Sequence, residues 1–319
     1  IFSFSHFLIF SFSHFLIFQN LNLAKKCRNF LDLLVISSKE ALFRNGHRIL
    51  TAIVTLAICS FGVSANGPDL VDSGKVLRGA YLLRAAGCVA CHTDFEHGGE
   101  FLAGGRPIET PFGTFYTPNI TGDPDHGIGS WEEHHFVTAM TRGISPDNTH
   151  YYPVFPYTAY SGMRLRDLSD LWAYLRTVSA SREPNREHNL RFPFSFRRTN
   201  WVWKLIFFRP EIHPIDPTRS PEWNRGAYLV SALGHCHECH TPRNFLGATK
   251  RSHSLAGTVY GPDNEKVPNI TPDPETGIGE WGRDDIIWFL QTGFLPDGDV
   301  VGSSMSDVIE HIFPCVARR

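Results

Sequence analysis

Four of the chain's seven cysteines fall in two matching arrangements, Cys88-Val89-Ala90-Cys91-His92 and Cys236-His237-Glu238-Cys239-His240. Two thiols at that spacing can add to the two vinyl groups of one porphyrin, and the adjacent histidine is then held beneath the iron as an axial ligand. Zinc sites also combine C-x-x-C with histidine, but they need a second ligand pair at matching spacing, and neither stretch offers a convincing one. A thioredoxin-like dithiol needs a βαβ setting and has no use for the histidine. Cys27, Cys59 and Cys315 are scattered and form neither a disulfide framework nor a ligand set. The expected cofactors are two covalently bound haem c groups, attached through Cys88, Cys91, Cys236 and Cys239, with His92 and His240 on the irons.

The residues around the two motifs show that one unit has been duplicated. Arg78-Gly79-Ala80-Tyr81-Leu82 returns as Arg225-Gly226-Ala227-Tyr228-Leu229, and Pro118-Asn119-Ile120-Thr121 as Pro268-Asn269-Ile270-Thr271. Gly127-Ile128-Gly129 before Trp131 returns as Gly277-Ile278-Gly279 before Trp281, all at offsets of 147 to 150 residues. Chance C-x-x-C-H strings would not bring matched flanks with them. Each unit opens with a helix, whose apolar stripe in the first runs through Val76, Ala80 and Leu83. A second helix closes the first unit with Leu168, Leu171, Trp172 and Leu175, Asp167 standing at its N-cap and Asp170 in its first turn. The loops between are rich in glycine and proline.

A sixth iron ligand should come from late in each unit. Met163 and Met305 occupy such positions, and a thioether favours ferrous iron. Met140 sits in a helical stretch and reads as core filler. His150 and His311 remain competitors.

Hydrophobic residues form 42% of the 319 and charged residues 19%, a globular balance, and the formal net charge of -2 points away from nucleic acid. Residues 1–18 write one octapeptide twice with a remnant, and their serines and histidines make a poor membrane span. Arg44, His47 and Arg48 then precede an apolar run over residues 49–63 and the small-residue exit Val63-Ser64-Ala65. That order describes a secretory signal peptide, an uncleaved anchor being the alternative. The expected organisation is a leader over residues 1–65, a first domain over 66–180, a linker over 181–221 and a second domain over 222–319. The second domain offers no closing helix after Met305, so it is expected to be truncated and the weaker of the two. Cleavage would leave Asn66 near a new N-terminus in the periplasm.

The string Cys-x-x-Cys-His, then Pro-Asn-Ile-Thr-x-Asp-Pro-x-x-Gly-Ile-Gly-x-Trp, then a late methionine, twice over, resembles the dihaem cytochrome c subunits of bacterial membrane-bound dehydrogenases, such as those for alcohol and gluconate. The resemblance spans roughly residues 78–307. It implies a mainly α fold of two tandem class I cytochrome c domains, with His92 and Met163 on one iron and His240 and Met305 on the other. It also implies that the carbonyls of Pro118 and Pro268 accept hydrogen bonds from His92 and His240, strengthening each as a ligand. Trp131, Trp281 and Arg106 would neighbour the haem propionates, ordinary loop packing being their other reading. A third haem domain and a membrane-binding tail, carried by the alcohol dehydrogenase subunits, are not seen in this sequence.

The function expected is electron transfer without substrate chemistry, from a dehydrogenase toward quinone or an oxidase, with peripheral membrane association. A dihaem peroxidase needs one iron with an open or labile position, whereas both units offer a methionine. A thiosulfate dehydrogenase would want a cysteine ligand, and the spare one outside the leader is Cys315.

Overall fold

A computed structural model describes residues 72–210, 213–261 and 265–312. The leader, its cleavage point and Cys315 lie outside the described residues. Helix α1 (Ser73–Ala85) and the one-turn α2 (Cys88–His92) lead into the hairpin β1 (Pro107–Thr110) and β2 (Gly113–Tyr116). Next come α3 (Glu133–Arg142), the short α4 (Tyr157–Tyr160) and α5 (Leu165–Leu175). Strand β3 (Asn189–Leu190) completes an antiparallel sheet of order β1-β2-β3, and α6 (Thr199–Phe207) follows it. The second repeat runs through α7 (Pro221–Tyr228), a π-helical turn Leu229–Leu233, α8 (Cys236–His240), α9 (Arg283–Thr292) and α10 (Ser303–His311). The fold is mainly helical.

Asp72 starts α1 by accepting from the amides of Gly74 and Lys75, at 2.9 and 3.4 Å. The buried residues of α1 are Gly79, Leu82, Leu83 and Ala85, with Ala86 just beyond its end, so the stripe lies about one residue away from Val76 and Ala80. Gly79 sets that rotation. A Cβ there would lie 2.0 Å from the Asp170 carbonyl, so only glycine lets α1 cross α5 this closely. Leu168 and Leu171 of α5 are fully buried at the crossing, each contributing about 1.5–3 kcal/mol.

The carboxylates of α5 do not cap it. Its N-cap is Arg164, whose side chain makes no capping bond. Asp167 instead accepts from the Tyr228 hydroxyl at 2.7 Å. Asp170 sits one turn in and pairs with Arg78 at 2.6 and 3.0 Å. Both side chains are drawn to tertiary donors that a reading of α5 alone does not contain.

The second repeat enters the first one's core. Tyr228, Ala232 and Leu233 are buried in one apolar cluster with Leu83, Tyr160, Leu168 and Leu171. The described residues accordingly fall in one compact unit. Residues 181–190 are stitched to the first repeat: Asn119 donates to the carbonyls of Ser181 and Glu183, and β3 pairs with β2. Among the described residues, no helix is long and apolar enough to cross a membrane.

Candidate haem sites

Each C-x-x-C-H turn is held by the same hydrogen bonds in both repeats. The His92 carbonyl accepts from Gly104 at 2.8 Å, and that of His240 from Gly257 at 2.7 Å. The hydroxyl of Thr93 accepts from the Leu102 amide, and that of Thr241 from the Leu255 amide. Leu102 and Leu255 both hold left-handed backbone, with φ of 60° and 62°, an uncommon state for a branched apolar residue. Their carbonyls accept from Ile120 and Ile270, tying the loop after each histidine to the Pro-Asn-Ile-Thr segment. The Leu-Ala-Gly string that makes this loop is repeated in the sequence, but it sits farther from its histidine in the second copy. A search at nearly constant offset therefore passes over it.

Asn119 accepts from the amide and hydroxyl of Thr121, and Asn269 accepts from the amide of Thr271. Asp123 and Asp273 each cap the turn that follows with two backbone amides, which hold both carboxyls below the usual range. Gly127 and Gly129 close the loop where a Cβ would come within 2.4 Å of Thr121 O and 2.1 Å of Gly122 O. Gly277 and Gly279 do the same at 2.3 and 2.5 Å. The long motif is thus a rigid loop, and its product is one fixed proline carbonyl.

That carbonyl meets the histidine in both repeats. Nδ1 of His92 lies 2.7 Å from Pro118 O, and Nδ1 of His240 lies 2.8 Å from Pro268 O. A carbonyl only accepts, so Nδ1 carries the proton and Nε2 presents its lone pair. Burial lowers the pKa of both rings, which keeps them neutral and suited to a metal. The four thiols are in no disulfide. Burial pushes Cys88 up to about 12 and Cys239 up to about 11, and raises Cys91 and Cys236 as well. Neutral imidazole beside two protonated thiols fits a haem c anchor.

The two turns adjoin. The rings of Tyr160 and His235 are 5.5 Å apart, edge to face, and the Tyr160 hydroxyl donates to the Ala86 carbonyl. Thr158 hydrogen-bonds Glu238 between the two cysteines of the second motif. Met163 is buried beside Tyr160 in the core, as is Met140 on α3. Met305 is half-buried on α10, whose Asp307 pairs with Arg106 at 2.6 Å and whose His311 stacks on Phe95. Arg106 also donates to the Ala90 carbonyl inside the first motif. Trp131 packs against the core, Trp281 meets Phe289 edge to face, and Nδ1 of His150 is buried without a hydrogen bond.

A family model described as cytochrome c matches residues 76–179. A dihaem cytochrome c-type protein of Cereibacter sphaeroides is 42% identical over 242 residues, covering 75% of this chain and 80% of that protein. The chain belongs to the cytochrome c family. Haem binding and electron transfer come with that membership. This cytochrome is also 43% identical over 268 residues to the fructose dehydrogenase cytochrome subunit of Gluconobacter japonicus, covering 82% of this chain and 54% of that one. The cytochrome c subunit of alcohol dehydrogenase (quinone) from Gluconacetobacter polyoxogenes is 38% identical over 252 residues, covering 77% and 53%. The cytochrome spans about half the length of those two relatives.

Proposed function

We propose that the chain is a dihaem c-type cytochrome of two tandem haem domains in the periplasm. It carries electrons from a periplasmic or membrane-bound dehydrogenase toward quinone or a terminal oxidase, and has no substrate chemistry of its own. The observation that carries this reading is the twin geometry, a C-x-x-C-H turn with its histidine Nδ1 on a loop-fixed proline carbonyl at 2.7 and 2.8 Å. Cys88 and Cys91 would anchor one haem and Cys236 and Cys239 the other. His92 and Met163 would ligate one iron, and His240 and Met305 the other. Each haem, once bound, supplies a one-electron couple. The proline carbonyls keep each imidazole in the ligating tautomer and make it a stronger donor. Met163, buried in the apolar core, would offer its thioether from surroundings that exclude water. The contact of Tyr160 with His235 puts the two anchors side by side, which favours passage of electrons within one molecule. The dehydrogenase partner is supported by the fructose and alcohol dehydrogenase cytochrome subunits among the relatives.

Expression with a working cytochrome c maturation system tests the reading. Denatured protein should keep two haems per chain, and Cys88→Ala with Cys91→Ala should keep one. Recovery of no covalent haem would overturn it. In the same preparation, Met163→His and Met305→His should each remove part of the sulfur-to-iron charge-transfer band and lower one potential. An unchanged spectrum in both would discard the methionine assignment.

A further inference from the structure

Helix α6 wears its polarity inside out. Asn200 and Lys204 face inward, 5% and 7% exposed, while Trp201 is 53% exposed and Leu205 and Ile206 are each 56% exposed. The inversion is held by specific bonds. Lys204 Nζ donates to the carbonyls of Arg142 and Gly143 at the end of α3 and lies over the Tyr157 ring at 4.5 Å. Asn200 donates to the His150 carbonyl, and Trp203 Nε1 donates to the Leu246 carbonyl at 2.8 Å. Rolling the helix to bury its apolar side would strand all of these groups, so the exposed apolar face is built in. Burial lowers the Lys204 pKa to about 8, a cost accepted to keep this orientation.

The exposed charge along this segment has one sign. With Lys204 turned inward, residues 191–209 carry four exposed arginines, Arg191, Arg197, Arg198 and Arg209, and no acidic residue, in a chain whose net charge is -2. Arg198 stands exposed at the start of α6, and Arg209, exposed beyond its end, bonds the Leu205 and Phe208 carbonyls. An apolar helical face containing tryptophan and bordered by arginine matches the headgroup region of a bilayer with anionic lipid. A second copy would bring like charges face to face. We propose that the outer face of α6 docks on an anionic membrane surface, with Trp201, Val202, Leu205 and Ile206 entering the headgroup layer and Arg198 and Arg209 at the level of the phosphates. The proposal stands whether the chain carries one haem or two.

The haem-loaded chain would be sedimented with vesicles of phosphatidylcholine alone or mixed equally with phosphatidylglycerol, and hydrogen exchange followed at α6. The expected result is binding several-fold stronger to the mixed vesicles, with slowed exchange at residues 199–207. Leu205→Ser with Ile206→Ser should weaken binding by roughly tenfold or more and abolish that protection. Arg198→Gln with Arg209→Gln should remove most of the preference for phosphatidylglycerol. All four side chains are exposed, so haem absorption should stay as in the unaltered protein, and the serine variant should melt as the parent does. Unchanged exchange at α6 in the presence of vesicles would overturn the proposal. So would a serine variant that binds as well as the parent, or one that loses only self-association in sedimentation velocity, which would assign the face to a second copy.

Discussion

Asp170 shows how much one residue can be asked to hold. Its side chain is 1% exposed, and the two hydrogen bonds from Arg78 keep its carboxyl below the usual range. A carboxyl depressed in the folded state contributes stability that is fully present above its unfolded pKa and is lost as pH falls through the folded one. Melting of the haem-loaded protein should therefore be level from neutrality down to about pH 4 and decline below it. Asp123 and Asp273 share in that decline, so the informative quantity is a difference. Asp170→Asn should cost about 1–2 kcal/mol at neutral pH and make the decline shallower. A variant with the parent's acid profile would show that the pair contributes nothing through its charge.

At the scale of the element, the two Arg-Gly-Ala-Tyr-Leu strings look interchangeable and are not. Gly79 lies where α1 touches the backbone of α5, and its missing Cβ is the condition for the crossing. Gly226, at the same place in α7, has nothing within 4 Å of the position a Cβ would take. Gly79→Ala should force the helices apart and destabilise the protein by about 1–3 kcal/mol. Gly226→Ala should leave stability unchanged or raise it by up to about 1 kcal/mol, since alanine is the better helix former and meets no obstacle. Urea unfolding of the two variants side by side checks this. Equal losses would mean that α7 is packed like α1.

At the scale of the molecule, packing among the described residues is uneven. Its apolar cluster lies in the first repeat and is joined by Tyr228, Ala232 and Leu233 from the start of the second. Beyond that point the second repeat is more open: Ala248, Ile309 and Ile312 are buried, but α9 buries no residue, and Trp288, Phe294 and Val300 are exposed. Met163 is locked in the core, whereas Met305 rides half-buried on α10. A thioether held by less packing swings away more readily. Carbon monoxide offered to the reduced protein should thus take the His240 site first, and Cys236→Ala with Cys239→Ala should remove the more reactive fraction. Equal resistance at both sites would show that α10 clamps Met305 as firmly as the core clamps Met163.

The chemistry of this protein was legible in its sequence because it is local. Haem attachment needs two thiols and a histidine within five consecutive residues, and the loop that positions the Pro118 and Pro268 carbonyls is written as one short string of asparagine, aspartate and glycine. The duplication was legible for the same reason, since each repeat keeps its own turn-forming residues. Contacts between distant segments were not. Asp167 and Asp170 satisfy the local rule for the start of a helix, yet Tyr228 and Arg78 claim them, 61 and 92 residues away. The stripe of α1 turned about one residue because Gly79 had to meet Asp170. The inward side of α6 is polar because the carbonyls of Arg142 and Gly143 at the end of α3 face it, and Lys204 donates to both. Hydrogen-bond geometry within a turn is determined by neighbouring residue types, whereas the choice of partner for a buried charge depends on which segments the fold brings together.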